Sequence, residues 1–134
     1  MAYIVGIVLA LLVSVMARLV GFDRDRAFYP TVLIVIASYY VLFAVMGRSV
    51  HATVVESLIM IAFLCVAVLG FKVNLWLVAA ALAAHGVLDF FHGHIVTNPG
   101  VPIWWPAFCL AYDISAAGFL VWLSVSRPVT RGER

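Results

Sequence analysis

Five stretches of about twenty residues, each nearly free of charge, follow one another along this chain and leave it one kind of structure to form. They run approximately over 2–20, 28–46, 50–69, 74–95 and 104–125. A helix needs about 20 apolar residues to cross the hydrocarbon core of a bilayer. Lipid offers no partner to backbone N–H and C=O groups, so a crossing segment must satisfy them within its own helix. The chain is 66% hydrophobic and only 10% charged, against about 25% charged in soluble domains, with a mean hydropathy of +1.18. So little charge cannot cover a surface facing water. The expectation is an all-α membrane protein, one compact bundle of five transmembrane helices over residues 1–134. Its first partner is the lipid bilayer, and no nucleic-acid partner is expected.

No Lys or Arg precedes the first apolar run, which reads as an uncleaved helix and not a signal peptide. Cys65 and Cys109 fall inside spans three and five with no disulfide spacing pattern. The connections, "GFDRDRAFYP", "GRSVH", "GFKVN" and "HIVTNPGVPI", are short and rich in turn residues. Helices joined this tightly are expected to pack as antiparallel neighbours.

Basic residues are retained on the cytoplasmic side of a membrane. Arg18, Arg24, Arg26, Lys72, Arg127, Arg131 and Arg134 flank one side of the five spans, and Arg48 alone flanks the other. The N-terminus is therefore expected outside and the C-terminus in the cytoplasm.

The fourth span carries "HGVLDFFHGH", with three of the chain's four histidines and one of its six carboxylates. At 1.5 Å per residue, His85 lies about 15 Å below the outer boundary, Asp89 about 9 Å and His92 about 5 Å. Asp113 in span five falls about 13 Å down, Glu56 in span three about 9 Å, and Tyr39 and Tyr40 in span two about 10 Å. Every mid-span ionisable group thus belongs to one layer. At 100° per residue, His85, Asp89 and His92 share one helix face within about 60°, and His94 points away from it. Histidine and carboxylate at i, i+4 can grip one metal ion. His85 and His92 lie about 10.5 Å apart along the axis, too far for both to reach one ion with ease.

A zinc-like ion takes three or four protein ligands and, in a catalytic site, keeps a position open for water. The expected ligands are His85, Asp89 and Asp113 for a divalent metal, zinc first. Glu56 and His92 are expected to handle protons, with Tyr39, Tyr40, Cys109 and His94 as accessory residues. Cys109 reads more readily as a small apolar core residue, and the two tyrosines as core or interface aromatics. Small residues on the faces of spans four and five, in "AAALAAHG" and around Ala116 and Ala117, are expected to let those helices approach closely.

These features support a membrane-embedded metal-dependent enzyme, most readily a hydrolase of a lipid-like or amphipathic substrate, with its site in the extracytoplasmic half. A second reading is a cation- or proton-translocating subunit, which with five spans would need a homodimer. A third is a structural subunit in which the His and Asp residues clamp helices together. Ionisable groups at membrane depth cost roughly 2.5–3.5 kcal/mol each on insertion scales, which weighs against glue alone. The run "HGVLDFFHGH…NPGVPIWWPAFCLAYD" resembles that of a family of small uncharacterised bacterial integral membrane proteins. The run spans residues 85–113, about a fifth of the chain, and the resemblance implies a bacterial membrane; the expected location is the inner membrane, as a multi-pass protein.

The orientation is testable by cysteine labelling. Cysteines introduced at Thr97 and Ser126 are expected to react with a membrane-impermeant thiol reagent in intact cells only at position 97. Labelling at 126 alone would invert the bundle.

Overall fold

The computed structural model describes residues 1–126; the basic tail residues Arg127, Arg131 and Arg134 lie outside them. Five helices form: α1 (Ala2–Val20), α2 (Phe28–Met46), α3 (Val50–Lys72), α4 (Leu75–Ile95) and α5 (Trp105–Ser126). All five are long and apolar enough to cross a membrane, and no strand occurs among the described residues.

Local chemistry sets the helix ends. Gly21, at φ 92°, closes α1 by donating its N–H to Ala17 O, a left-handed cap that glycine adopts without a Cβ penalty. The side chains of Ser49 and Asn74 cap α3 and α4 by accepting from Ala52 N and Trp76 N. Pro30 and Pro106 stand in first turns, where the absent N–H would have had no intrahelical partner.

The spatial order is not the chain order. α1 lies against α5, α5 against α4, α4 against α3, and α3 against α2, which also touches α4. The expectation that short connections make every consecutive pair neighbours fails at α1, whose main partner is the last helix. The cause is a stripe of small residues on α1: Gly6, Ala10, Ser14 and Ala17 are its buried positions. A Cβ on Gly6 would stand 2.4 Å from Phe108 O and 3.0 Å from Ala111 Cβ, so α1 and α5 approach as only small residues permit. The α4–α5 contact uses the same device, with a Cβ on Gly86 only 3.3 Å from Asp113 Cβ.

The core below the polar layer is built from Leu33, Val78, Leu82 and Leu120. Outward positions such as Leu12, Leu58, Phe90 and Trp122 are large, apolar and exposed, as a lipid-facing surface requires.

The α1–α5 seam gives a stability prediction. Gly6→Leu is expected to destabilise the bundle by about 1–3 kcal/mol, the usual cost of overpacking. Gly118→Leu, where a Cβ meets nothing within 4 Å, should change stability by less than about 0.5 kcal/mol. Reversible unfolding in mixed micelles would read both. Equal effects would mean that α1 does not sit on α5.

Candidate metal centre

The ionisable groups of the spans meet inside the bundle. Glu56, His85, Asp89, His92 and Asp113 are each no more than 3% exposed, and they come from α3, α4 and α5. His85 Nδ1 lies 2.7 Å from Asp113 Oδ2, a hydrogen bond between α4 and α5. The same nitrogen is 3.5 Å from Asp89 Oδ2, one turn along α4. From α2 the Tyr40 hydroxyl donates to Asp89 Oδ1 at 2.6 Å, and from α5 the Cys109 thiol points to Asp113 Oδ2 at 3.9 Å. Ligand atoms of His85, Asp89, Cys109 and Asp113 all fall within 4.8 Å of one another.

Metal–ligand bonds of about 2.0 Å to N or O and 2.3 Å to S imply tetrahedral ligand–ligand edges of roughly 3.3–3.6 Å. Four donors within 4.8 Å would close on an ion by moving about an ångström. His85 and Asp113, at hydrogen-bond distance, would part slightly and give up the proton between them. Two carboxylate oxygens of the group, Asp89 Oδ2 and Asp113 Oδ1, are buried without a hydrogen-bond partner among the described residues. A buried polar atom left unsatisfied costs about 1–3 kcal/mol, more when it is charged. The site therefore holds acceptor capacity that the protein itself does not use.

A second polar group lies nearer the end of the bundle that carries the 96–104 connection. His92 Nε2 is 2.7 Å from Glu56 Oε1, and Asn98 Nδ2 donates both to Glu56 Oε1 at 2.9 Å and to Tyr40 O at 3.0 Å. The Tyr40 ring stacks on His92 with centroids 4.0 Å apart while its hydroxyl reaches Asp89. Tyr40 is thus the link between the outer pair and the inner four.

The connection over the site is seated against the helices. A Cβ on Gly100 would fall 1.7 Å from Phe43 O, a contact that only glycine allows, and Val96 is buried with Ala44 and Ala52. The segment closes that end of the bundle and delivers Asn98 to Glu56.

The structure brings His85, Asp89 and Asp113 together and adds Cys109. It places Glu56 and His92 against each other on the outer side of Tyr40, so Glu56 does not join the inner group. Tyr39 is 37% exposed and packs on Trp105 with centroids 4.9 Å apart, away from the carboxylates. His94 is exposed on the far face of α4. Cys109, an accessory residue by sequence, belongs to the inner group, and Asn98 is a contributor the sequence pattern does not single out. Cys109 precedes Asp113 by four residues, a spacing that shares a helix face, but its apolar character reads more readily as core. Asn98 was hidden in a turn-forming "TNPG", where asparagine is ordinary.

No protein-family profile matches the chain, and no curated protein and no solved structure matches it either.

Proposed function

We propose that this chain is a membrane-embedded metal-dependent enzyme, a hydrolase of an amphipathic, lipid-like substrate, seated in the bacterial inner membrane with its site in the extracytoplasmic half. His85, Asp89 and Asp113 hold the ion. Cys109 would supply a fourth donor to that ion. A donor set of one imidazole, two carboxylates and one thiol favours zinc over magnesium or calcium, which prefer oxygen alone. Such an ion lowers the pKa of a bound water toward about 7 and polarises a carbonyl or phosphoryl oxygen. The Glu56–His92 pair, joined to the centre through Tyr40, would take up and return the proton. The observation that carries this reading is the pair of buried carboxylate oxygens, Asp89 Oδ2 and Asp113 Oδ1, that have no hydrogen-bond partner among the described residues, the first only an ion-pair distance of 3.5 Å from His85 Nδ1.

The helix-clamp reading keeps one observation in its favour. His85–Asp113, Tyr40–Asp89 and His92–Glu56 each join two different helices. A translocation path has less support, since the core below the polar layer is filled by Leu33, Leu82, Val78 and Leu120.

Zinc-dependent thermal stability separates enzyme from clamp. A ligand that binds only the native state at a hundred times its Kd stabilises it by about 2.7 kcal/mol, so wild type should show an upward shift of Tm with zinc and lose it with chelator. Asp89→Asn keeps size and hydrogen bonding but loses the charge, and is expected to fold while losing most of the shift. His85→Ala should weaken it, and His94→Ala should leave it intact. Binding releases protons from the ligands, so apparent affinity should rise with pH. Wild-type stability indifferent to zinc and chelator, with both inner-site variants merely less stable, would establish the clamp.

A further inference from the structure

The space that opens because α1 lies on α5 has a use. A cavity of about 430 Å³ lies between α1 and α2 and is floored by α5. Leu9 and Val13 form one wall, Val32 and Val35 the other. Its few polar neighbours are spoken for or lie at its ends: the Thr31 hydroxyl donates to Ala27 O at 2.7 Å, and Tyr39 and Trp105 pack on each other at one end. Along α2 it runs from Phe28 to Tyr39, eleven residues, or about 16 Å. That is close to half of a hydrocarbon core of about 30 Å, a length that a linear hydrocarbon chain can span.

One stripe of α5 joins this cavity to the buried carboxylates. Trp105, Cys109 and Asp113 follow one another at i, i+4 and so share a helix face. Trp105 and Cys109 line the cavity, Cys109 and Asp113 belong to the group of potential ligands, and Cys109 is the residue common to both. The Trp105 indole N–H is buried without an acceptor among the described residues, a donor that an oxygen-bearing head group would satisfy.

We infer that the α1–α2 cavity is the binding slot for a single unbranched hydrocarbon chain of an amphipathic lipid, held with its oxygen-bearing head at the Trp105–Cys109 end and its methyl end toward Phe28. The inference rests on the enzyme reading above, for which it names the substrate class: a lipid whose scissile group lies next to a linear chain. The slot excludes water along the chain, and the α5 stripe sets the head one helical turn from Asp113.

Photolabelling tests the slot separately from the metal. The full-length protein in phosphatidylcholine vesicles would be illuminated with palmitic acid carrying a diazirine beside the carboxyl group or, in a second probe, beside the methyl end, and the labelled residues mapped by mass spectrometry. Zinc content would be measured on the same samples. Slot residues Leu9, Val32 and Val35 are expected to label about tenfold more than Leu58 and Ile61 on the outward face of α3, as an order of magnitude of preferential occupancy gives. The carboxyl-side probe should favour Trp105 and Cys109, and the methyl-side probe Phe28. Val13→Trp, which fills the slot from its wall, should lower slot labelling several-fold with zinc content unchanged. Leu9→Trp, at a more exposed position of the same wall, guards against misfolding and should act alike. Equal labelling of slot and α3 face, or labelling indifferent to both tryptophans, would overturn the slot whatever the zinc result. Reversed positions of the two probes would overturn the placement of the head. Slot labelling as expected in a protein that binds no zinc would leave the lipid slot standing and remove the metal centre.

Discussion

The hydrogen bond between His85 and Asp113, 2.7 Å long and buried among helices apolar enough to cross a membrane, is the constraint on which the rest of this bundle is arranged. A carboxylate and an imidazole facing lipid would each cost several kilocalories per mole, so the two helices that carry them must meet. They meet because Gly86 opposes Asp113 with no side chain in between. Tyr40 and Cys109 then bring α2 and the preceding turn of α5 to the same point. The small-residue seam between α1 and α5 leaves α2 to the other flank, where it can deliver Tyr40.

The buried polar groups form a graded column. Asn98 at the capped end touches Glu56, Glu56 touches His92, the stacked Tyr40 carries contact on to Asp89, and Asp89, His85, Asp113 and Cys109 end it in the middle of the bundle. Below them the core is mainly apolar, with Ser14 and the Tyr29 hydroxyl as buried polar groups. A column that enters from one side and stops suits chemistry at its blind end better than passage through the membrane. Its last member, Cys109, is also the floor of an apolar slot that opens between α1 and α2. Water and protons would thus reach the centre from one direction and a hydrocarbon chain from another.

Much of this was legible in the residues, and the remainder was hidden for physical reasons. The five helices follow from length and apolarity, and their ends from Gly21, Ser49 and Asn74. The depth calculation put His85, Asp89 and Asp113 in one layer because rise per residue converts directly to depth. Depth alone cannot separate members of a layer, so it does not show that Glu56 and His92, expected to handle protons, pair with each other behind Tyr40. Choosing between Tyr39 and Tyr40 requires the rotation of α2, and that helix is apolar all round and gives no clue to it. The short 21–27 connection points to α2 as the neighbour of α1, whereas the Gly6–Ala10–Ser14–Ala17 stripe announces a close helix contact without saying with which helix. The weight of Cys109, an accessory residue that reads more readily as core, rises with its i, i+4 relation to Asp113, the same spacing that links His85 and Asp89.

The central claim is that the inner four residues hold a metal, and X-ray absorption at the metal edge of the purified protein, together with its metal-to-chain ratio, tests it most directly. The account predicts about one ion per chain, with N/O neighbours at about 2.0–2.2 Å and one sulfur near 2.3 Å, the sulfur disappearing in Cys109→Ala. A protein that purifies without metal, and after loading with zinc shows only oxygen neighbours and a spectrum unchanged by Cys109→Ala and Asp89→Asn, would contradict it.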